Sequence, residues 1–157
     1  MFKLKVLMFT AIIAILTTGC VQSNYVPTKT GLELQAIQKK EFTTKYKIAF
    51  AATLSVFQDK GYIIKSANND TGFITAESPI VRRTVLLGNI MDNLQATAFI
   101  ENIRLDKVSI RLNFVNYQNA QASSGAQSSN SVPMEDPIFY KDIFNKIDKA
   151  IFIRTSQ

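Results

Sequence analysis

Hydrophobic positions change their spacing along this chain in a way that separates helices from strands. Across residues 45–60, Tyr46, Ala49, Phe50, Leu54, Val56 and Phe57 fall on one broad helical face, with Lys47, Ser55, Gln58 and Asp59 opposite. Recurrence at three and four residues predicts an amphipathic helix packed on a core. Thr43 and Thr44 offer its N-cap, and Gly61 supplies the left-handed stop. Strand-type segments at 62–67 and 73–78 flank Asn68-Asn69-Asp70-Thr71-Gly72, a turn by composition, so a hairpin is predicted. Leu94, Ala96, Ala98 and Ile100 then alternate with polar or exposed neighbours. Val108, Ile110, Leu112 and Phe114 do so with Ser109, Arg111 and Asn113, and this is the cleanest period of two in the chain. Asp106-Lys107 lies between the two stretches, which predicts an antiparallel pair. The last element opens with Asp136 as N-cap and Pro137 at the first helical position. Tyr140, Ile143, Phe144, Ile147, Ala150 and Ile151 then form one apolar stripe, and Asp142 with Lys146 forms a favourable i, i+4 pair.

Three segments carry weaker signals. Leu32, Leu34 and Ala36 alternate with polar neighbours, predicting a first strand within residues 32–42. Residues 79–92, with Arg82-Arg83 ahead of the apolar group Val85-Leu86-Leu87, read as a mobile or partner-facing connection. Residues 119–132 are a low-complexity run of Ala, Ser, Gln and Asn with one Gly, for which a flexible loop is predicted because too little apolar surface is available to offset ordering. Both amphipathic helices need a surface, and the apolar side of the antiparallel sheet provides it. The predicted fold is therefore α+β: a two-layer sandwich with an antiparallel sheet of four or five strands, two helices packed on one face, and the order (β)-α-β-β-β-β-α.

Composition narrows the chemistry. A chain of 157 residues, 46% hydrophobic and 19% charged, has the make-up of a single globular domain with accessories. It contains 0 His and 1 Cys, which removes Ser-His-Asp and Cys-His catalysis, His-ligated metals, zinc ribbons and an intrachain disulfide. Among the carboxylates Glu77, Glu101, Asp106, Glu135 and Asp136, the one close pair is Glu135-Asp136, which the helix start explains. Asp70 lacks the spaced carboxylates of a calcium loop, and Gly88-Asn89 is too little glycine to cradle a phosphate. No catalytic residue, metal or cofactor is predicted, and the chain reads as a non-enzyme.

Residues 1–20 have the layout of a secretory signal, with Lys3 and Lys5, an apolar stretch at 6–16, and small residues before a break. The apolar stretch is too short for the roughly 20 residues of a permanent span. Leu16-Thr17-Thr18-Gly19-Cys20 resembles the lipobox of bacterial lipoproteins, with Thr17 standing where Leu is commonest. The resemblance implies a signal peptide over 1–19 cleaved after Gly19, with acyl chains on the sulfur and freed amine of Cys20. Each buried methylene contributes about 0.8 kcal/mol, and stable anchoring needs more than one chain. Val21 follows where an Asp would favour inner-membrane retention by resemblance to Gram-negative lipoproteins, so a lipid anchor in the outer membrane facing the periplasm is expected. Residues 20–31 then form the lipidated N-terminus and tether, and 32–157 the single domain. Cleavage removes Lys3 and Lys5 with no acidic residue, taking the net charge from +6 to +4. The only tight basic groups are Lys39-Lys40 and Arg82-Arg83, so nucleic acid is not an expected partner.

Two stretches, "LSVFQDKGYIIKSANNDTGFITAES" (54–78) and "EDPIFYKDIFNKIDKAIFI" (135–153), with "IRLNF" between them, resemble a family of small uncharacterised proteobacterial outer-membrane and periplasmic lipoproteins. There a "LQDxGYxIxxADxxxGLITA" block precedes a sheet and a "DPxxYQxFFxKxxKxxFL" helix closes the domain. The resemblance covers most of 32–153 and departs in the low-complexity run. Its motifs are structural, so it brings no catalytic residue. At fold level the arrangement is similar to the helix-grip domains of lipoproteins in the outer-membrane assembly machinery, a likeness that transfers no function. The expected function is a lipid-anchored, non-enzymatic envelope accessory that binds a protein partner, with Arg82, Arg83 and Leu86 as contact residues. The alternative is a module for an apolar or glycan ligand held in a cleft between sheet and helices, lined by Phe50, Phe99 and Phe144. A hydrolase acting on envelope polymers would need carboxylates about 5 to 9.5 Å apart in a groove, and none is expected.

Overall fold

A computed structural model describes residues 28–156 except Leu87. The signal peptide, Gly19 and Cys20 lie outside the described residues. The elements in order are α1 (Gly31–Gln38), β1 (Lys39–Thr43), α2 (Tyr46–Asp59), β2 (Ile63–Asn68), β3 (Phe73–Glu77), β4 (Val81–Val85), β5 (Gly88–Arg104), β6 (Lys107–Ala122), β7 (Gln127–Pro133) and α3 (Pro137–Thr155). The fold is α+β on an antiparallel sheet, with seven strands and three helices among the described residues instead of the four or five and two expected.

The alternating stretches at 94–100 and 108–114 form its centre. They belong to two strands of 17 and 16 residues, paired antiparallel along almost their whole length. At about 3.3 Å per residue each spans roughly 55 Å, much longer than a helix layer needs. Their free edges are shared out by position. The outer edge of β5 takes β3 beside residues 95–99 and β4 beside 88–92. That of β6 takes β1 beside 107–111 and β7 beside 115–121. One half of the sheet therefore reads β1-β6-β5-β3-β2, and the other half is an arm of β4, β5, β6 and β7.

In the first half a single core joins the sheet to the helices. Ile74, Ala76, Ala96, Ala98, Ile100, Val108, Ile110, Leu112 and Phe114 are buried together with Ala49, Phe50, Ala52, Val56 and Phe57 of α2 and Tyr140, Ile143, Phe144, Ile147 and Ile151 of α3. Small residues on both α2 and the sheet let the two layers approach closely. Phe114 anchors the far end of this core, with ring contacts to Phe57, Tyr62, Phe139 and Tyr140. Burying a side chain of this size stabilises the fold by about 1.5–3 kcal/mol.

Local signals set the element ends. Gly61, at φ 81, closes α2, and the backbone N–H groups of Gly61 and Tyr62 donate to the Gln58 and Phe57 carbonyls. In the β2–β3 turn the Asn68 Oδ1 accepts from the Asp70 and Thr71 N–H groups. Gly72, at φ 77, lies so close to β5 that a Cβ would stand 2.1 Å from the Ile100 oxygen. Asp136 caps α3, its carboxylate accepting from the Ile138 N–H at 2.8 Å.

Four expectations are corrected. The strand expected within 32–42 is a helix followed by a strand: Thr30 and Glu33 form a reciprocal capping box, and α1 has no buried residue, so the Leu32, Leu34, Ala36 alternation marked no sheet face. Neither Thr43 nor Thr44 caps α2. Lys45 holds that position without a side-chain bond, and Thr44 Oγ1 is buried without a partner among the described residues. The connection expected at 79–92 is β4 and the start of β5. Glu77 pairs with Gln95 and Val81 with Asp92, so one extra residue separates β3 from β4. The two are one strand broken by a bulge at Ser78-Pro79-Ile80, where the missing N–H of Pro79 is tolerated. Lastly, the loop expected at 119–132 is the end of β6, a turn containing Gly125 at φ 86, and β7. Those polar residues are strand because β6 offers them a ladder.

Candidate functional site

The arm sets itself apart through the side chains it carries. Along β5 and β6 the positions that continue the core face are Leu94, Asp92 and Ile90, and Asn116, Gln118 and Ala120. All six are only partly buried. Asp92, Asn116 and Gln118 interrupt the apolar run, and Asp92 ties the strands to one another. The Asp92 carboxylate accepts from Gln118 Nε2 at 2.8 Å and from the Arg83 guanidinium, whose Nε lies at 3.1 Å. Gln118 first and Arg83 second hold the Asp92 carboxyl below the usual carboxylate range. One acid on β5 thus links β4, β5 and β6 on the face that continues the core.

The opposite face of the arm presents Arg82, Met91, Asn119 and Ser129 in one cross-strand row and Thr84, Asn89, Gln121 and Gln127 in the next. A hollow of about 260 Å³ is lined there by Met91, Asn119, Gln121, Gln127 and Ser129. Arg82 reaches the Met91 sulfur at 4.0 Å, so its charge stays available to solvent. Along the arm's β4 edge the apolar side chains are exposed: Ile80 by 67%, Val81 by 57%, Val85 by 45% and Leu86 by 98%.

Arg82, Arg83 and Leu86, expected as contact residues, all lie on β4 or the turn after it. The strand period sends the adjacent arginines to opposite faces, and Arg83 is held by Asp92. Asp92, Gln118 and Met91 are participants that sequence reasoning missed. Their signal was the continuation of the period of two beyond Leu94 and Phe114 into polar residues. The three residues expected to line a cleft are not brought together. Phe50 and Phe144 belong to the core, whereas Phe99 packs against Phe73, ring centroids 4.7 Å apart, on the other face of the sheet.

The carboxylates weighed in the sequence have structural duties where the geometry gives them partners. Glu77 pairs with Lys65 at 3.1 Å and Glu101 with Lys39 at 3.7 Å. Glu135 accepts from the Thr28 N–H at 3.1 Å, and Asp136 caps α3. Asp106 lies exposed in the β5–β6 turn. Among the described residues no three His, Cys, Asp or Glu converge into a metal site, and no helix is long and apolar enough to cross a membrane.

No family model and no curated protein matches the chain. Among solved structures it is similar to a DUF4468 family protein from Bacteroides ovatus ATCC 8483, at 11% identity and a TM-score of 0.41 over 72% of this chain and 84% of that one. So distant a likeness leaves the arm itself as the basis for a functional reading.

Proposed function

We propose that this chain is a lipid-anchored accessory protein of the Gram-negative envelope, held in the outer membrane through Cys20 and facing the periplasm, which binds a protein partner through its arm and catalyses no reaction. The observation that carries the partner reading is the arm's β4 edge, where Ile80, Val81, Val85 and Leu86 are exposed on a strand with no neighbour on its outer side among the described residues. Exposed apolar side chains gathered on an unpaired strand edge point to an interaction surface. The lipobox-like segment at 16–20 supports the anchor.

Two experiments test this reading. The Cys20→Ser chain is expected to leave the membrane fraction while keeping its circular dichroism spectrum; retention would remove the lipid anchor. A photocrosslinker placed at Leu86 in cells is expected to trap a discrete protein adduct, and one at Phe152 on α3 is not. Equal capture at both positions, or capture at neither, would count against the arm.

A second reading has one observation in its favour. The hollow beside Met91 combines an apolar floor with the amides and hydroxyls of Asn119, Gln121, Gln127 and Ser129, a mixture suited to a glycan. Glycan-array binding lost in Asn119→Ala and Gln121→Ala chains would support it.

A further inference from the structure

The partner reading leaves open how a strand edge is recognised, and the geometry of β4 narrows the answer. We infer that β4 accepts an extended segment of the partner as an added antiparallel strand, with an acidic residue opposite Arg82 and apolar residues opposite Val81 and Val85. This inference rests on the partner reading and specifies its chemistry.

The backbone provides the first argument. β4 pairs with β5 on one side only among the described residues, so alternate residues aim their N–H and C=O groups away from the sheet. Such a row is a template for another chain. The other edges are blunted. β2 carries a register shift between Ile64 and Ser66, with Lys65 nearby. β1, as short as β4, carries Lys39, Lys40 and Glu41 and exposes no large apolar side chain. β7 is Ser, Asn and Gln up to Val132 and Pro133. Among the described strands, β4 alone has exposed Val side chains flanking its centre.

Charge provides the second argument. Arg83 is neutralised by Asp92, while among the described residues Arg82 meets only the Met91 thioether. The edge therefore presents one uncompensated positive charge on one face and two apolar side chains, Val81 and Val85, on the other. Read from N to C, an incoming antiparallel strand would match it with the pattern apolar-x-x-acidic-apolar. A second copy paired through its own β4 offers Arg82 no carboxylate, since Ile80 to Leu86 contains none, and pairing centred on Arg83 sets Thr84 opposite Arg82.

The test uses the purified full chain in detergent micelles and a fluorescent peptide with the core Val-Thr-Ser-Glu-Val, compared with the same peptide carrying Lys in place of Glu. The Glu peptide is expected to bind about fivefold more tightly, the upper range for a cross-strand charge pair. Arg82→Glu is expected to reverse the order, and Arg82→Gln to abolish the preference. Binding is expected to slow hydrogen exchange of the amides at 81–85 and to leave those of α3 unchanged. Equal affinity for the two peptides, absence of binding, protection elsewhere, or concentration-dependent protection of 81–85 without peptide would each overturn strand addition. The two levels of the claim separate in cells. A Leu86 crosslink that persists undiminished in Arg82→Glu removes strand addition and keeps the partner, whereas no protein adduct from Leu86 removes the partner.

Discussion

The same two strands pass through two environments, and the contrast shows what a β-ladder does and does not require. Beside α2 and α3, β5 and β6 bury Ala96, Ala98, Ile100 and every second residue from Val108 to Phe114. A few residues further along the same face, Asp92, Asn116 and Gln118 take over, and β4 and β7 replace β3 and β1 as flanking strands. Pairing continues without interruption. Backbone hydrogen bonds and an Asp-Arg-Gln tie suffice to extend the sheet, but the buried apolar area is confined to the helix-backed half. Stability belongs to one half, and an accessible surface to the other.

The most direct way to break this contrast is to truncate equivalent face positions in the two halves. Phe114→Ala removes a fully buried ring at the junction of sheet and helices and is expected to cost about 3–5 kcal/mol. Gln118→Ala, four residues on, loses its bond to Asp92 and is expected to cost only about 1 kcal/mol. Urea unfolding of both variants measures the difference, and similar losses would mean that the arm shares the core's cooperativity.

Gly72 sharpens the helix-backed side. Its left-handed φ of 77 alone makes Gly72→Ala cost about 1–3 kcal/mol, and the approach to the Ile100 oxygen adds to this. A clearly lowered melting temperature is expected, with a smaller loss for Gly125→Ala in the arm's turn, where a φ of 86 carries the same backbone strain but nothing lies within 4 Å of a Cβ.

Alkaline titration gives a smaller effect confined to the core. Burial pushes the Tyr62 phenol up to about 12, and burial also raises Tyr140. Because the folded state holds these protons more tightly than the unfolded one, this contribution is complete below the unfolded pKa of about 10 and is lost as pH rises towards 12. Chemical unfolding across that range should show declining stability, with a shallower decline in Tyr62→Phe; identical slopes would detach Tyr62 from the effect.

The smallest change is expected on the outer face of the helix-backed half. Ser109 is 1% exposed and its Oγ has no hydrogen-bond partner among the described residues. Ser109→Ala should therefore be neutral or stabilising by up to about 1 kcal/mol. A loss of more than that in urea unfolding would reveal a partner for the hydroxyl.

Elements with a buried face were legible in the sequence because burial imposes a period. The helical stripe of α2, the alternation at 94–100 and 108–114, and the capped stripe of α3 all lie where the pattern put them. α1 buries nothing, so its hydrophobic spacing misled. The legible signal was Thr30 followed three residues later by Glu33, a capping box. β4 was passed over because its apolar residues are exposed and a Pro precedes it. β7 was passed over because QSSNSVP carries no core-facing pattern. The arm was therefore the part of the candidate site that the sequence obscured, although Arg82, Arg83 and Leu86 had been picked out within it.

By itself the sequence determined the features that short-range chemistry governs: the amphipathic periods, the Gly61 stop, the hairpin turn at 68–72, the Asp136 cap and the lack of His. Tertiary structure alone decided that residues 127–133 pair with β6, that β3 and β4 are one bulged strand, and that Arg82 and Arg83 part to opposite faces with only one of them neutralised. The physical reason is that a strand's hydrogen bonds are made to another strand. A polar segment becomes ordered when a long neighbour offers it an edge, and nothing in its own residues announces that offer.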